Sequence, residues 1–443
     1  MSGRPLPQVH PTPPGVGGRG TRIGHAVGLW RDPTAYLARR RAAWGDTFVV
    51  DAGGHRLLCV FSPAGIRALY GYAENEASFG LATFAVLRRK VPEELFLGRR
   101  HTPHDLFGRQ DTERYLDNLA AAVALELADL GREGSFEIFA EARRLGHRLG
   151  LASWAGPEAA SPRYLDRLVP LLDRLDGSEA FVAPGRTLLT EATGKVLERR
   201  ALAGIEAVVG EIWAERRRLG AEGDDFLAEL FASFGDVDES RRAAEVARDL
   251  VLIHMGSQSN LYAALAWTLV NVLLDPALVA AVRERRPGVL ESAAYESIRM
   301  AQRSITLRQV VKEVDLDDGR EVYRVEPGVM ITTMLSVTNT TAAPGLDRFD
   351  PDHYEGRRLS EAVALPTKEV VSTFGHGIHR CPARRFSVSA IVTAVQGVVD
   401  HFELVPRFSS AAPRLRQIGG VARAQRPCVV DYRRRGGEAA VGR

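Results

Sequence analysis

One long apolar helix, predicted over residues 240–274, constrains the fold of this chain more than any other feature. Its middle, LVLIHMGSQSNLYAALAWTLVNVLL, carries apolar residues at nearly every angle around the helix axis. A helix without a continuous polar face must be surrounded by other parts of the protein. The pair Asp275-Pro276 ends the helix, because proline is not tolerated in a helix interior. The sequence therefore predicts a protein assembled around this interior helix.

The remaining periodicities predict many helices and few strands. Apolar residues recur three and four positions apart through most of residues 111–284, and residues 32–44 are also predicted to be helical. Two β-rich runs flank a Gly-Gly turn in residues 47–62, and further short strands follow Ala301. The stretch 79–109 has no period and is predicted to be a loop. We expect a mainly α fold with a small β region drawn from both ends of the chain.

Composition limits the function classes. The 443 residues include 58 basic and 55 acidic side chains, without the concentrated basic footprint of a nucleic-acid-binding protein. No window approaches the roughly 20 apolar residues of a membrane span, and the N-terminus lacks the apolar core of a signal peptide. Three scattered cysteines indicate a reducing cytoplasm. We expect no nucleic-acid partner, no membrane anchor, a flexible Pro- and Gly-rich segment over 1–20 and one domain over 21–443.

The cysteine loop, STFGHGIHRCPARRF (372–386), delivers a cysteine to the start of an apolar helix predicted over 382–402. Pro382 suits the first helical position, where its missing N–H costs nothing. Free N–H groups at a helix N-terminus lower the pKa of a thiol, so we expect the loop to stabilise a Cys381 thiolate. Gly375 allows the backbone to approach a flat surface closely. An inert, buried cysteine is the competing interpretation.

The run Phe374, Gly377, His379, Cys381 resembles the haem-binding signature of the cytochrome P-450 superfamily. The resemblance implies a triangular helical prism around a buried haem b. Cys381 would be the axial iron ligand, its electron donation favouring O–O cleavage, and His379 would pair with a haem propionate. Ala383 stands where the family usually has Gly, a change that a helical position tolerates.

The same resemblance implies further contacts to the haem. Gly375, in the cysteine loop, would contact the haem on the side of its sulfur ligand. Arg308, on a predicted strand, resembles the family's second propionate-binding arginine, and Arg303 is the competing candidate. Arg109 or Arg114 would reach a propionate from the irregular segment, unless these are merely solvated loop charges.

A second constellation lies in ESAAYESIRM (291–300), where Glu296 and Arg299 are three residues apart and therefore share one helical face. Surface pairs with this spacing are ordinary. About 80 residues before the cysteine loop, however, the pair resembles one that in the family braces that loop without acting in catalysis. A further arginine usually completes this charge network, and FDPDHYEGRR (349–358) offers His353 at its position.

The polar stretch GSQSN (256–260) stands in the middle of the interior helix, where the family usually has an acid and an alcohol that relay protons to dioxygen. It contains no carboxylate. Buried polar residues are costly unless used or satisfied, so we expect a helix distortion or a groove facing the haem, with a purely structural cluster as the alternative. The proton-relay candidates are Gln258, Ser259 and Asn260, and the candidates for the substrate pocket are Met255, Gly256 and Ser259.

The string SQSN with Trp267 further along resembles a branch of the family that contains sterol 7α-hydroxylases and prostacyclin synthases. That branch includes an oxygenase and an isomerase, so the reaction stays open. Among the histidines, His254 is interpreted as a satisfied core residue. His101 and His104 are too few for a metal site and are expected in a loop over the haem.

The resemblance implies a monooxygenase that hydroxylates or epoxidises a hydrophobic small molecule in secondary metabolism. Electrons would come from a ferredoxin and a ferredoxin reductase, and Arg380, Arg384 and Arg385 are candidate docking residues for an acidic donor. Two alternatives stay open. Without the acid–alcohol pair, a haem enzyme could rearrange, cyclise or dehydrate a substrate with an O–O or N–O bond. The protein could also bind haem or a ligand without catalysis.

Overall fold

A computed structural model of the chain describes residues 21–52, 55–98, 100–101, 109–178, 184–221, 223 and 225–436. The segment 1–20, predicted to be flexible, and His104 lie outside the described residues. The helices are, in chain order, α1 (Thr21–Arg31), α2 (Pro33–Trp44), α3 (Pro63–Gly71), α4 (Phe79–Leu87), α5 (Arg109–Asp129), α6 (Ile138–Trp154), α7 (Pro162–Arg174), α8 (Pro184–Ala192), α9 (Val196–Leu219), α10 (Phe226–Ser233), α11 (Glu239–Leu274), α12 (Pro276–Arg283), α13 (Val289–Ala301), α14 (Leu335–Thr341), α15 (Leu359–Ala362) and α16 (Arg384–His401).

The predicted interior helix is confirmed as α11, which is 36 residues long. It packs against α6, α9, α13 and α16. Every residue from Leu261 to Val270 is buried, as expected for a helix without a polar face. The indole N–H of Trp267 donates to the carbonyl of Ala422 at 2.5 Å and is thereby satisfied inside the core.

The strands are β1 (Thr47–Ala52), β2 (His55–Val60), β3 (Ala77–Ser78), β4 (Glu133–Glu137), β5 (Ile305–Val310), β6 (Val314–Asp317), β7 (Val322–Val325), β8 (Met330–Met334), β9 (Phe402–Pro406) and β10 (Val429–Arg434). They form a sheet of order β1-β2-β8-β5-β3, a sheet of order β4-β10-β9 and the pair β6-β7. β1 and β2 form the predicted antiparallel hairpin, with Val49 opposite Leu58. β8 lies parallel to β2 and thereby joins the two ends of the chain. The predicted mainly α fold with a small β region is confirmed.

The prediction of a loop over 79–109 is wrong at its start, because α4 begins at Phe79. The hydroxyl of Ser78 accepts the N–H of Leu81 at 2.9 Å and caps this helix. Nearly all residues of FGLATFAVL are apolar or small, so the segment has no polar face for a periodicity argument to detect.

Two details of the predicted helices also need correction. α16 begins at Arg384, so Pro382 precedes the helix and does not occupy its first position. The polar stretch 256–260 leaves the helical assignment of α11 uninterrupted, so of the two expectations, a helix distortion or a groove facing the haem, the distortion is not observed in this described helix. Strand β4 additionally interrupts the predicted helical region 111–284.

Within the part of the chain that the structure describes, no single helix is long and apolar enough to cross a membrane. The pair α11 and α12, bent by 108°, passes the length and composition test only when the two helices are taken together.

Candidate functional site

Backbone contacts close the loop that carries Cys381. The N–H of Cys381 donates to the carbonyl of Phe374 at 2.7 Å. Gly375 has a φ of +76°, and a Cβ at this position would lie 2.8 Å from the carbonyl oxygen of His379. Gly377 also has a positive φ, of 62°. The turn therefore requires both glycines, since a side chain at either would strain the backbone.

The Cys381 thiol is half-buried, and this burial raises its pKa, while a hydrogen bond from the backbone of Ala383 and the charge of Arg384 act in the opposite direction. The loop therefore supplies the expected N–H and positive charge, and burial of the sulfur opposes their effect. A metal cation deprotonates a coordinating thiol outright, so the loop offers a sulfur that becomes a thiolate when it binds a metal.

Arg308 on β5 is a buried cation that forms no salt bridge with any described residue, although the charge of Glu74 acts on it. The residue is 1% exposed, and no acceptor for its Nε and Nη2 is found among the described residues. Its guanidinium lies over the ring of Phe79, 5.2 Å from the centroid. Burial lowers the pKa of this guanidinium. Because an unpaired buried charge is costly, the position calls for an anion, such as the carboxylate of a bound cofactor.

His379 also lies against Phe79, with the two ring centroids 5.3 Å apart. Its Nε2 is 2.9 Å from Oε1 of Glu74. The Glu74 carboxylate further accepts the hydroxyl of Ser78 at 2.7 Å and the N–H of Phe79 at 3.0 Å, which holds it at the start of α4. Sequence reasoning missed Glu74 because it missed the helix that Glu74 helps to begin.

Other candidates for the cofactor site are placed elsewhere or not described. Arg303 donates through Nη1 to the hydroxyl of Thr34 at 2.5 Å. Arg109 is the first residue of α5, but its side chain is not among the described ones. His101 contacts the buried carboxylate of Asp249 through its backbone N–H and its ring. In the described ranges, no group of three or more His, Cys, Asp or Glu side chains could hold a metal ion.

The residues present fit haem b. Cys381 supplies a soft sulfur ligand suited to iron. Nε and Nη2 of Arg308 have no acceptor among the described residues, as a propionate-binding group requires before its ligand is bound. At Gly375 the turn has no side chain, so the backbone beside the sulfur can lie close to a flat cofactor. These three observations are independent of one another and agree on one cofactor.

A buried charge network joins α13 to the segment that precedes the cysteine loop. Glu296 and Arg299 are both fully buried, and Arg299 donates to the Glu296 carboxylate through Nε at 2.7 Å and Nη2 at 2.6 Å. The same carboxylate accepts the N–H of Asp350 at 2.9 Å. Nδ1 of His353 lies 3.2 Å from it. The structure thus brings together the three residues that the sequence proposed as a brace.

Asn339, which sequence reasoning missed, connects this network to the cysteine loop. Its amide nitrogen donates to the carbonyls of Arg299 and Ser372, at 3.1 Å and 3.0 Å, and its amide oxygen accepts the N–H of Ser372 at 2.8 Å. Arg299 in turn donates to the carbonyl of Asn339 at 2.5 Å. Asn339 lies in the short helix α14, and nothing in its sequence context distinguishes it from a surface asparagine.

The polar stretch of α11 has two different faces. Gly256 and Asn260 are exposed, and a Cβ on Gly256 would meet no atom within 4 Å among the described residues. Gln258 is buried on the opposite side, between α11 and α6. Met255 and Ser259 are half-buried between these faces. The three proton-relay candidates therefore do not share one surface.

Asn260 and Trp267, seven residues apart on α11, hold the same neighbouring segment. The N–H of Val421 donates to the side-chain oxygen of Asn260 at 2.9 Å. Trp267 donates to the next residue, Ala422. Gly420 is needed there, because its φ is +63° and a Cβ would lie 2.5 Å from the Asn260 oxygen. Asn260 thus has a structural hydrogen bond in addition to its proposed role.

No protein-family model matches the chain. A protein of Mycobacterium tuberculosis provisionally named cytochrome P-450 135B1 is 23% identical over 421 residues, which cover 89% of this chain and 86% of that protein. Abscisic acid 8'-hydroxylase 2 of Oryza sativa subsp. indica is 22% identical, over 86% of this chain and 79% of its own length. Sterol 14alpha-demethylase of Mycolicibacterium vanbaalenii is 23% identical over 48% of this chain and 51% of its own.

Proposed function

This chain belongs to the cytochrome P-450 superfamily of haem-thiolate monooxygenases, and we propose that it hydroxylates or epoxidises a hydrophobic small molecule of secondary metabolism. The observation that carries the proposal is the pairing of a braced cysteine loop with a buried, unpaired cation. Cys381 lies on a loop that is held through Asn339, and no described residue forms a salt bridge with Arg308. Hydroxylase and demethylase are the activities that the names of two relatives state for those proteins.

Haem b, when bound, supplies the activation of dioxygen, with a thiolate ligand that favours O–O cleavage. The protein's own part is to bind, orient and exclude water. Cys381 would hold the iron, and Arg308 and His379 would neutralise the propionates and fix the haem's rotation. Because Gly375 has no side chain, the backbone of the cysteine loop would lie close to the haem ring. Asn339 and Arg299 keep the loop rigid, so that the sulfur stays in position.

We place the substrate on the side of the haem opposite to Cys381, beside Met255, Gly256 and Ser259. The absence of a side chain at Gly256 leaves room on the exposed face of α11. At 100° per residue, Ser259 is about 60° around the helix from Gly256, whereas Ser257 is about 100° away. The hydroxyl of Ser259 would therefore hold or pass a proton, with Asn260 and Gln258 as further relay candidates. Apolar side chains around the bound substrate would exclude water from the reaction site.

Electron delivery is proposed to come from a ferredoxin and its reductase. Arg380, Arg384 and Arg385 are exposed beside the cysteine loop. An acidic iron–sulfur protein would be attracted to such a patch through complementary charge. Raising the salt concentration should therefore slow the transfer of the first electron.

Oxygen stoichiometry tests the proposed function. Candidate ligands are first screened by spectral titration of the ferric protein, since a spin-state change reports water leaving the iron. A ligand that produces this change is then incubated with a ferredoxin system under dioxygen or argon. We expect product only with dioxygen and electrons, at one oxygen atom per product. Product formed under argon without a reductant would replace the proposal with the rearrangement reaction, which the absence of a carboxylate from the stretch 256–260 also permits.

A further inference from the structure

A small apolar cavity lies in the core between α6, α7, α9, α10 and α11. Its volume of about 20 Å³ is enough for one small molecule. Ten of the twelve residues in its wall are leucine, isoleucine, valine or alanine, and none of the twelve is more than 7% exposed. The cavity is therefore enclosed by the protein and lined almost entirely by hydrocarbon.

Trp154 and His254 are the two wall residues with polar side-chain atoms, and both are hydrogen-bonded within the protein. The indole N–H of Trp154, which can only donate, approaches Nδ1 of His254 at 3.1 Å. A neutral His254 then carries its proton on Nε2 and donates to Nδ1 of His147 at 2.8 Å. His147 donates onward through Nε2 to Asp173 at 2.9 Å. Burial lowers the pKa of His254 well below its ordinary value, in agreement with a neutral ring.

The wall, all of whose side chains are described, leaves no side-chain donor or acceptor free to hold a water molecule. Buried waters need hydrogen-bond partners, and apolar cavities without such partners stay dry. The atoms that line a dry cavity lack neighbours on one side, so they gain dispersion energy from an apolar molecule that fits. The cavity is therefore suited to a small, uncharged molecule that forms no hydrogen bonds.

The cavity lies on the side of α11 that faces away from Gly256. Leu250, Val251 and His254 form the part of the wall that α11 supplies. At 100° per residue, these three side chains are about 120–160° around the helix from Gly256. Gly256 is exposed on the face beside which we place the substrate. One helix therefore separates the cavity from that face.

We propose that this cavity is a binding site for dioxygen. The inference rests on the proposed function, in which the enzyme consumes dioxygen. Dioxygen is diatomic, uncharged and apolar, so it matches both the volume of the cavity and its lack of free polar groups. A substrate large enough to be hydroxylated or epoxidised exceeds that volume. The cavity holds dioxygen reversibly beside α11, and no bond forms or breaks there.

Xenon tests whether the cavity accepts an apolar atom, because xenon is rich in electrons and enters dry protein cavities. A crystal of the holoenzyme under xenon pressure should show a xenon atom inside this wall. Val209→Ile adds a methyl group to the wall and should lower the xenon occupancy. Val208→Ile is the matched control, since Val208 is also buried on α9 but lies outside the wall, and it should keep the wild-type occupancy. A wild-type cavity without xenon would overturn the inference.

Dioxygen itself is detected by NMR, because it is paramagnetic and broadens the signals of nearby methyl groups. In the ferric holoenzyme, the δ1-methyl signals of Ile205 and Ile212 at the wall should broaden more under dioxygen than under the same pressure of nitrogen. The ferric haem contributes equally under both gases. Ile298 and Ile391, which are as deeply buried but lie outside the wall, are the internal controls. Broadening no stronger at the wall than at these two residues would overturn the inference.

Failure of this inference and failure of the proposed function are distinguishable. A cavity that takes up neither gas would overturn the dioxygen site, while the oxygen stoichiometry of the reaction would be unaffected. Product formed under argon without a reductant would overturn the proposed function. Methyl broadening would still report whether dioxygen enters the cavity, because it does not depend on turnover.

Discussion

The brace behind the cysteine loop and the contact between α6 and α11 both bury polar side chains, but they satisfy them to different degrees. In the brace, Glu296, Arg299 and Asn339 form hydrogen bonds with one another and with the neighbouring backbone. Between α6 and α11, the buried amide of Gln258 has no protein partner within the described ranges.

The difference separates two uses of buried polarity. A fully satisfied network is rigid and fixes one geometry, which suits a loop that must present a sulfur to a metal. An unsatisfied buried amide leaves room for a further partner, such as an ordered water. Mutations should therefore cost more stability in the brace than at Gln258.

The largest expected effect is in the brace. Arg299→Leu leaves the Glu296 carboxylate buried without its counter-charge, which should lower the free energy of unfolding by about 3–5 kcal/mol. Denaturant titration measures the loss, and haem content should fall with it. Arg285→Ala, which removes the exposed pair with Asp400, is the control and should stay near wild type. A stability loss in Arg299→Leu no larger than in this control would contradict a structural brace.

Asn339→Ala should come next, with a loss of about 3 kcal/mol, because three hydrogen bonds between α13 and the cysteine loop disappear. Asn118→Ala removes one bond from a partly buried asparagine to a helix carbonyl and should cost about 1 kcal/mol. Thermal unfolding of both variants checks the ranking. Equal losses would mean that Asn339 does not connect the network to the loop.

Arg308→Met should weaken haem retention about tenfold, equivalent to about 1.4 kcal/mol, because one charge-assisted bond to a propionate is lost. The rate of haem transfer to an excess of a haem-free globin measures this effect. The haem-free protein should become more stable in the same variant, since an unpaired buried guanidinium is removed. Haem retention equal to wild type would remove Arg308 from the cofactor site.

The smallest effect concerns pH and the buried histidine of α11. His254 has a pKa well below its ordinary 6.5 in the folded protein, so the unfolded chain binds a proton that the folded chain does not as pH falls. Its contribution is fully present above about pH 6.5 and is lost below it, by at most about 1.4 kcal/mol per pH unit. His254→Gln should flatten the loss of stability between pH 6.5 and 5 relative to the exposed control His401→Gln. Identical slopes in the two variants would count against a neutral buried His254.

The parts of this molecule that the sequence predicted are those with a local signature. An apolar run of the length of α11 must form a helix that is buried in the protein. The cysteine loop needs glycines at the positions where φ is positive. The pair Glu296 and Arg299 is visible because three residues place both on one helical face. Each of these inferences uses residues close together in the chain.

The parts that were missed depend on contacts between distant segments. Asn339 is 33 residues from Ser372, and Glu74 meets His379 from the other end of the chain. Asp173 reaches His147 only because α6 and α7 pack side by side. Burial of the Cys381 thiol, which opposes the effect of the nearby backbone N–H on its pKa, is likewise a property that sequence spacing does not give.

The central claim is that the sulfur of Cys381 binds the haem iron, and the reduced carbon-monoxide spectrum tests it most directly. The wild-type holoprotein should give the long-wavelength Soret band of a thiolate-ligated haem, and Cys59→Ser and Cys428→Ser should keep it, because both of these cysteines are buried in the core. Cys381→Ser should lose that band. A wild-type band in Cys381→Ser, or no haem uptake by the wild type, would contradict the account.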